Sequence, residues 1–340
     1  MRGVNKNIRQ LLQDIIANGR IVEQDESSIY NNDNILELLN CQLVFKEPKN
    51  RIFVSKSFPQ LFNPGLAIAR FFFLLSGSNL IDSIKFYTEG VSRFSDDGIT
   101  LSGSSYGYKI FSDEFGVSQY SRVINLLKQR RHTKRAAISI YQREDCGRKS
   151  KDIPCCMSII FSPRGEYLHF TVHMRANNIL KLLPYNIFEF SLLFEFIASF
   201  TGYRMGDYYH ISTSAHFPAP QLSLAKELIC ESNIVEHTMK NMPIVNDSTR
   251  LNLISQESEL RKFLINYSDT NELIKKIQSI IHSHGSYWGD YFITLAFYHL
   301  QKKGLHHEAN LLSDSLMDES FILLKTQMNW KINNNDTVKS

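Results

Sequence analysis

The segment Asn186 to Thr201, NIFEFSLLFEFIASFT, reads as a helix that is apolar on nearly every side. Such a helix cannot lie on a surface and has to be enclosed by other elements of a large core. The chain can supply that core: it has 340 residues, 43% hydrophobic and 21% charged. The same composition excludes disordered, collagen-like and mucin-like chains. The run Phe71 to Leu75 with its neighbours is far too short to cross a bilayer. The N-terminal MRGVNKNIRQLLQDIIANGR is amphipathic and broken by charge, unlike a signal peptide. A soluble cytoplasmic protein without membrane association is expected. A net charge of +4 is too small to argue for a nucleic-acid partner, whereas anionic small molecules fit. Five cysteines form neither a disulfide framework nor a CxxC pair. His282, His284, His306 and His307 fall at expected helix ends, so no metal site is expected.

Around that buried helix the pattern alternates between short strands and helices. Helical spacing marks Ile8 to Ile16, stopped by Asn18-Gly19, then Gly65 to Leu75 and Tyr120 to Lys128. Strand signals cover Leu43 to Phe53, Ala136 to Tyr141, Met157 to Phe161, Tyr167 to His173 and Tyr208 to Ser212. VEQDESSIYNNDN and residues 91–105 read as loops. Beyond about residue 222 only helices are expected: Glu257 to Tyr267, Asn271 to His284, Trp288 to Lys303 and His306 to Trp330. These signals predict an α+β domain over 1–222, a helical segment over 223–332 and a disordered tail over 333–340.

The chemistry-bearing residues come in a fixed order. Ile153-Pro154-Cys155-Cys156 precedes two strands, followed by Met174-Arg175-Ala176-Asn177-Asn178. Leu183-Pro184-Tyr185-Asn186-Ile187 comes next, then Gly206-Asp207 and His216. Order and spacing resemble the thymidylate synthase family, which includes the pyrimidine nucleotide hydroxymethylases. Upstream, Phe73 to Ser78, Ser105-Tyr106-Gly107 and Thr133-Lys134-Arg135 resemble further family blocks. The likeness covers roughly residues 8–220.

The resemblance implies the thymidylate synthase fold, a large mixed β-sheet flanked by helices, here with a helical C-terminal extension. It also implies a homodimer. The implied reaction adds a methyl or hydroxymethyl group from 5,10-methylenetetrahydrofolate to C5 of a pyrimidine nucleoside monophosphate. Pyrimidine C5 is a poor nucleophile, and a thiolate adding at C6 gives it carbanion character. Cys155 takes that role by resemblance. Arg175 takes the phosphate and is the candidate for lowering the thiol pKa. Lys134 and Arg135 match a pair that reaches across the dimer to the partner's phosphate. Asn186 matches the side chain that reads the base, where an amide suits uracil N3–H and O4. His216 matches a sugar-hydroxyl contact, and Tyr106 another cleft residue.

Several positions depart from the family pattern. Arg70 stands where the family has a catalytic Glu, so a positive charge is expected in the cleft, suited to an extra anionic group or to the base enolate. Asn178 stands for a folate-contacting Asp, Ala176 for a Ser, Cys156 for a His, Leu182 for a Gly and Pro218 for a Tyr. These departures point to a specialised pathway. They also keep open a non-catalytic nucleotide-binding protein of the same fold. Plainer readings exist for single residues. Lys134 and Arg135 continue a basic run that could be a solvated face. Asn186 is a favoured N-cap for a helix beginning at Ile187. Arg175 would serve as a surface ion-pair residue and His216 as ordinary polar surface.

Overall fold

The structure, a computed structural model, describes residues 3–23, 33–113, 116–232, 236–314, 321–323 and 325. Among the described residues, six strands form one sheet: β1 Arg20–Val22, β2 Ile35–Phe45, β3 Ala136–Ser139, β4 Cys156–Arg164, β5 Tyr167–Asn178 and β6 Arg204–Pro218. Their order is β1-β2-β6-β5-β4-β3, antiparallel throughout except for the parallel pair β5 and β6. The helices are α1 Val4–Asn18, α2 Pro64–Ser76, α3 Ile81–Tyr87, α4 Tyr106–Phe111 and α5 Gln119–Gln129, then α6 Leu183–Thr201, α7 Leu222–Cys230, α8 Asp247–Ile265, α9 Thr270–Lys302 and α10 His306–Ser313.

The parallel pair needs a crossover, and α6 supplies it. Every residue of α6 from Leu183 to Ala198 is buried, which is why its sequence shows no polar stripe. One side of α6 lies on the sheet, where Phe194 stacks on Phe170 of β5 with centroids 4.9 Å apart. The other side is covered by α2 and α4, with Tyr106 stacked on Phe190 at 5.7 Å. In turn α9 packs on the outside of α2. No helix among the described residues is long and apolar enough to cross a membrane.

The structure departs from the sequence pattern at the start of α6 and in the strand expected after the polar loop. Helix α6 begins at Leu183, because Pro184 in its first turn is already set for helical φ. Asn186 therefore lies inside the helix and is not its N-cap. The strand expected over Leu43 to Phe53 is instead Ile35–Phe45. It stops where Lys46 to Lys49 turn at Pro48, and residues 50–54 run on without ladder pairing. Asn5 from α1 takes up part of their backbone, donating to Ile52 O and accepting from Val54 N–H at 3.0 and 2.8 Å. The two helices expected over Asn271 to His284 and Trp288 to Lys303 are both present, run together as α9 with a break between them at Gly285, whose φ of 80° only glycine holds easily. Of the helix expected from His306 to Trp330, His306–Ser313 is described as α10, and residues 321–323 and 325 are helical as well. Residues 315–320, 324 and 326–340 lie outside the described set, as do 24–32 of the polar loop.

Candidate active site

The β4–β5 hairpin folds Arg175 back beside Cys155. Cys156 pairs with Met174, and Arg175 N–H donates to Cys155 O at 2.8 Å. The two adjacent thiols part company there, as neighbours on an extended chain must. Cys155 lines a cavity of about 940 Å³, whereas Cys156 is fully buried in the core. Arg175 is exposed, and its Nε and Nη2 donate to Pro154 O and Ile153 O at 2.8 and 3.1 Å. Its Nη2 also lies 3.9 Å from Cys155 Sγ. That contact alone does not create a thiolate. Burial pushes the Cys155 thiol up and outweighs the lowering by Arg175, with Asp152 adding to the rise.

The loop before Cys155 is held by Asp152. Its carboxylate accepts from Gly103 N–H at 2.8 Å and from Ser104 N–H and Oγ–H at 2.9 and 3.1 Å. The two loops are so close that a Cβ on Gly103 would lie 2.2 Å from Asp152 O. Arg148, Lys149 and Lys151 stand on the rim of the same cavity. Its far wall is apolar, formed by Ile84, Val91, Phe94 and Leu101.

The parallel register sets Asn178 of β5 opposite His216 of β6, and both line the cavity. Asn178 Oδ1 accepts from Lys181 N–H at 2.9 Å, so that oxygen serves the turn into α6. His216 is half-buried. Its Nδ1 is 3.1 Å from Ser214 Oγ, which in turn donates to Glu37 of β2. Burial pulls the His216 pKa down, against the opposing influence of Ser214 and Glu37, which favours the neutral ring.

Asn186 and Arg70 meet in the cavity with a residue that sequence reasoning missed. Glu189 lies one turn beyond Asn186 and accepts from Arg70 Nε at 3.1 Å and Nη2 at 2.7 Å. Arg70 Nη2 also donates to Asn186 Oδ1 at 3.2 Å. The guanidinium sits 5.6 Å from the Tyr185 ring centroid, and Tyr185 OH accepts from Asn63 N–H at the start of α2. The positive charge expected at Arg70 is thus matched at once by a bidentate carboxylate. The cleft gains an ion pair at this point, with no net charge. Glu189 had a signal: an acid in the middle of an apolar helix, at i+3 from a site residue, shares its face.

Tyr106 also lines the cavity, and burial raises its phenol well above the ordinary value, so it stays protonated. Gly107 beside it has no room for a side chain, since a Cβ would lie 2.0 Å from Leu74 O. Lys134 and Arg135 are exposed on the turn before β3 and line no part of this cavity. Cys155, Arg175, Asn178, Asn186, His216, Tyr106 and Arg70 are therefore brought together, and Lys134 and Arg135 are not.

Comparison with known proteins adds to this geometry. A deoxyuridylate hydroxymethyltransferase of Pseudomonas phage M6 is 28% identical over 182 residues, 51% of this chain and 51% of the relative. A deoxyuridylate hydroxymethyltransferase of Bacillus phage SP01 is 25% identical over 219 residues, 61% of this chain and 56% of the relative. The chain thus spans about half the length of the curated relatives it matches. Among solved structures, the thermostable thymidylate synthase A from Bacillus subtilis superposes with a TM-score of 0.57 at 19% identity. The match covers 70% of this chain and 87% of that one, and shows a shared fold. The family model of thymidylate synthase matches residues 10–276, and the chain belongs to that family.

Proposed function

We propose that this protein transfers a one-carbon unit, as methyl or hydroxymethyl, to C5 of a pyrimidine nucleoside monophosphate, with a uridylate as substrate. The observation that carries the proposal is the convergence of Cys155, Arg175, Asn186 and His216 on one cavity. Deoxyuridylate is the first substrate to test, because the phage relatives are named for it.

The residues suggest the following sequence. Arg175 and the lysines of the rim hold the phosphate, and His216 meets a sugar hydroxyl. Cys155 Sγ attacks C6, and the C5=C6 electrons move onto O4, where Asn186 Nδ2 donates a hydrogen bond. C5 then forms a bond to the one-carbon unit and loses its proton; the donor would leave with the electrons of its bond to that carbon, and water for a hydroxymethyl product, or a hydride from the reduced folate for a methyl product, would take its place. The C6–S bond breaks, the C5=C6 double bond returns and the thiolate is regenerated. At about 940 Å³ the cavity is at the upper end of the ordinary range for ligand sites. Its apolar wall fits a flat aromatic group beside the base. 5,10-Methylenetetrahydrofolate held against Ile84, Val91, Phe94 and Leu101 would supply the one-carbon unit.

A homodimer completes the proposal. The sheet face away from α6 presents Ile160, Thr171, His173, Ile211 and Thr213, all partly exposed. A second copy docked there would bring its Lys134 and Arg135 toward Arg175, which alternates onto the same face. Sedimentation at micromolar concentration should give about twice 39.3 kDa. A clean monomer would remove both the dimer and the contribution of Lys134 and Arg135.

The activity is tested without a folate by incubating the protein with 5-tritiated deoxyuridylate and uridylate and counting release to water. Release reports addition at C6. Its absence with every pyrimidine nucleotide that binds would support a non-catalytic nucleotide-binding protein instead.

A further inference from the structure

We propose that Arg70 makes this site read uracil and reject cytosine, as a positioning residue that fixes which way the Asn186 amide faces. The proposal rests on the reading of Asn186 as the base-contacting side chain. It does not follow from the family pattern, which has a Glu where Arg70 stands.

A side-chain amide presents a carbonyl on one side and an NH2 on the other, and the two are nearly isosteric. Turning it over exchanges an acceptor for a donor. Chemistry decides the orientation here, because a guanidinium only donates and stays charged at any working pH. The Asn186 atom that meets Arg70 Nη2 at 3.2 Å is therefore the oxygen. Arg70 cannot swing away, since Glu189 holds both its Nε and its Nη2.

The constraint continues inward along a buried chain. Asn186 Nδ2 donates to Asn177 Oδ1 at 3.2 Å. Asn177 Nδ2 meets His210 Nε2 at 2.8 Å, and His210 Nδ1 meets Tyr208 OH at 2.8 Å. Burial drives the His210 pKa down to about 3, so the ring is neutral and carries one proton. Nε2 accepts from Asn177, and Nδ1–H donates to the tyrosine oxygen. All the links run in one direction, and Arg70 is the member that cannot reverse. The amides and the neutral imidazole beyond it could all turn together if it were absent, at little cost.

With Asn186 fixed, its second carbonyl lone pair and its second N–H remain for the base. Uracil offers N3–H and O4, a donor and an acceptor that match this order. Cytosine offers a bare N3 and an N4 amino group, so acceptor faces acceptor and donor faces donor. Two buried mismatches should cost at least about tenfold in affinity.

Equilibrium binding of deoxyuridylate against deoxycytidylate, and of uridylate against cytidylate, tests the proposal on the 340-residue chain. The wild type should prefer the uracil nucleotide at least about tenfold. Arg70→Lys keeps a charged group that only donates and should keep most of that ratio. Arg70→Met/Glu189→Gln removes the lock without stranding a buried carboxylate, and the ratio should fall to within about threefold. Arg70→Gln is a milder second variant, whose own amide can face Asn186 either way; it too should lose discrimination. A wild type that does not discriminate, or a wild-type ratio in both Arg70→Gln and the double variant, overturns the proposal. If neither base binds, or if Asn186→Ala leaves all affinities unchanged, the underlying reading of Asn186 fails, and the proposal with it.

Discussion

Cys155→Ser should lower tritium release from C5 of the nucleotide by at least about a thousandfold, because a hydroxyl is a far weaker nucleophile than a thiolate near neutral pH. Nucleotide affinity should stay within about tenfold, since Arg175 and the rim lysines supply the phosphate attraction. Cys156→Ser should retain exchange, as Cys156 points into the core and away from the cavity. The wild-type protein carries a pH signature of the same residue. With the Cys155 pKa raised by burial, the neutral thiol dominates at pH 7 and the reactive thiolate grows as pH rises. Alkylation of ligand-free Cys155 by iodoacetamide, followed by peptide mapping, should therefore accelerate steadily up to and beyond pH 9. A rate already flat between pH 6 and 8 would mean that Arg175 wins over burial. Exchange surviving in Cys155→Ser would remove the covalent mechanism altogether.

Elements whose signal is local are legible in the sequence. The apolar character of 186–201 already required enclosure, and the sheet, α2 and α4 provide it. The break at Gly285 was legible because glycine and polar residues interrupt a helical period. Signals that depend on distant partners were not legible. Residues 43–53 have strand-like composition, but whether they pair depends on β6, whose partner is Ile35–Phe45. Glu189 was lost in an apolar run, and its counter-ion Arg70 lies 119 residues away. No spacing rule connects the two. For the same reason the reading of Arg70 as a lone positive charge was incomplete, although its place in the cleft was legible from the order of the motifs.

Helix α6 carries a second buried acid, and its removal should show how differently the two are used. Glu195 faces away from the cavity and forms an ion pair with Arg51, whose side chain is fully buried. Glu195 Oε1 also accepts from Met242 N–H at 2.8 Å. One carboxylate thus ties α6 both to the unpaired segment after β2 and to the stretch that leads into α8. Glu195→Leu strands the Arg51 charge in the core, and a broken buried pair costs about 3–5 kcal/mol. The midpoint of urea unfolding should fall accordingly, with an unchanged slope if the compactness of both states is preserved. Arg51→Met/Glu195→Leu removes both charges and should recover a large part of the loss, leaving mainly the orphaned Met242 N–H at about 1–3 kcal/mol. A double variant more stable than Glu195→Leu is the diagnostic result, because independent contributions would make it less stable. A Glu195→Leu protein within about 1 kcal/mol of wild type would show that Arg51 finds water or another acceptor, and that the pair does not hold α6 in place.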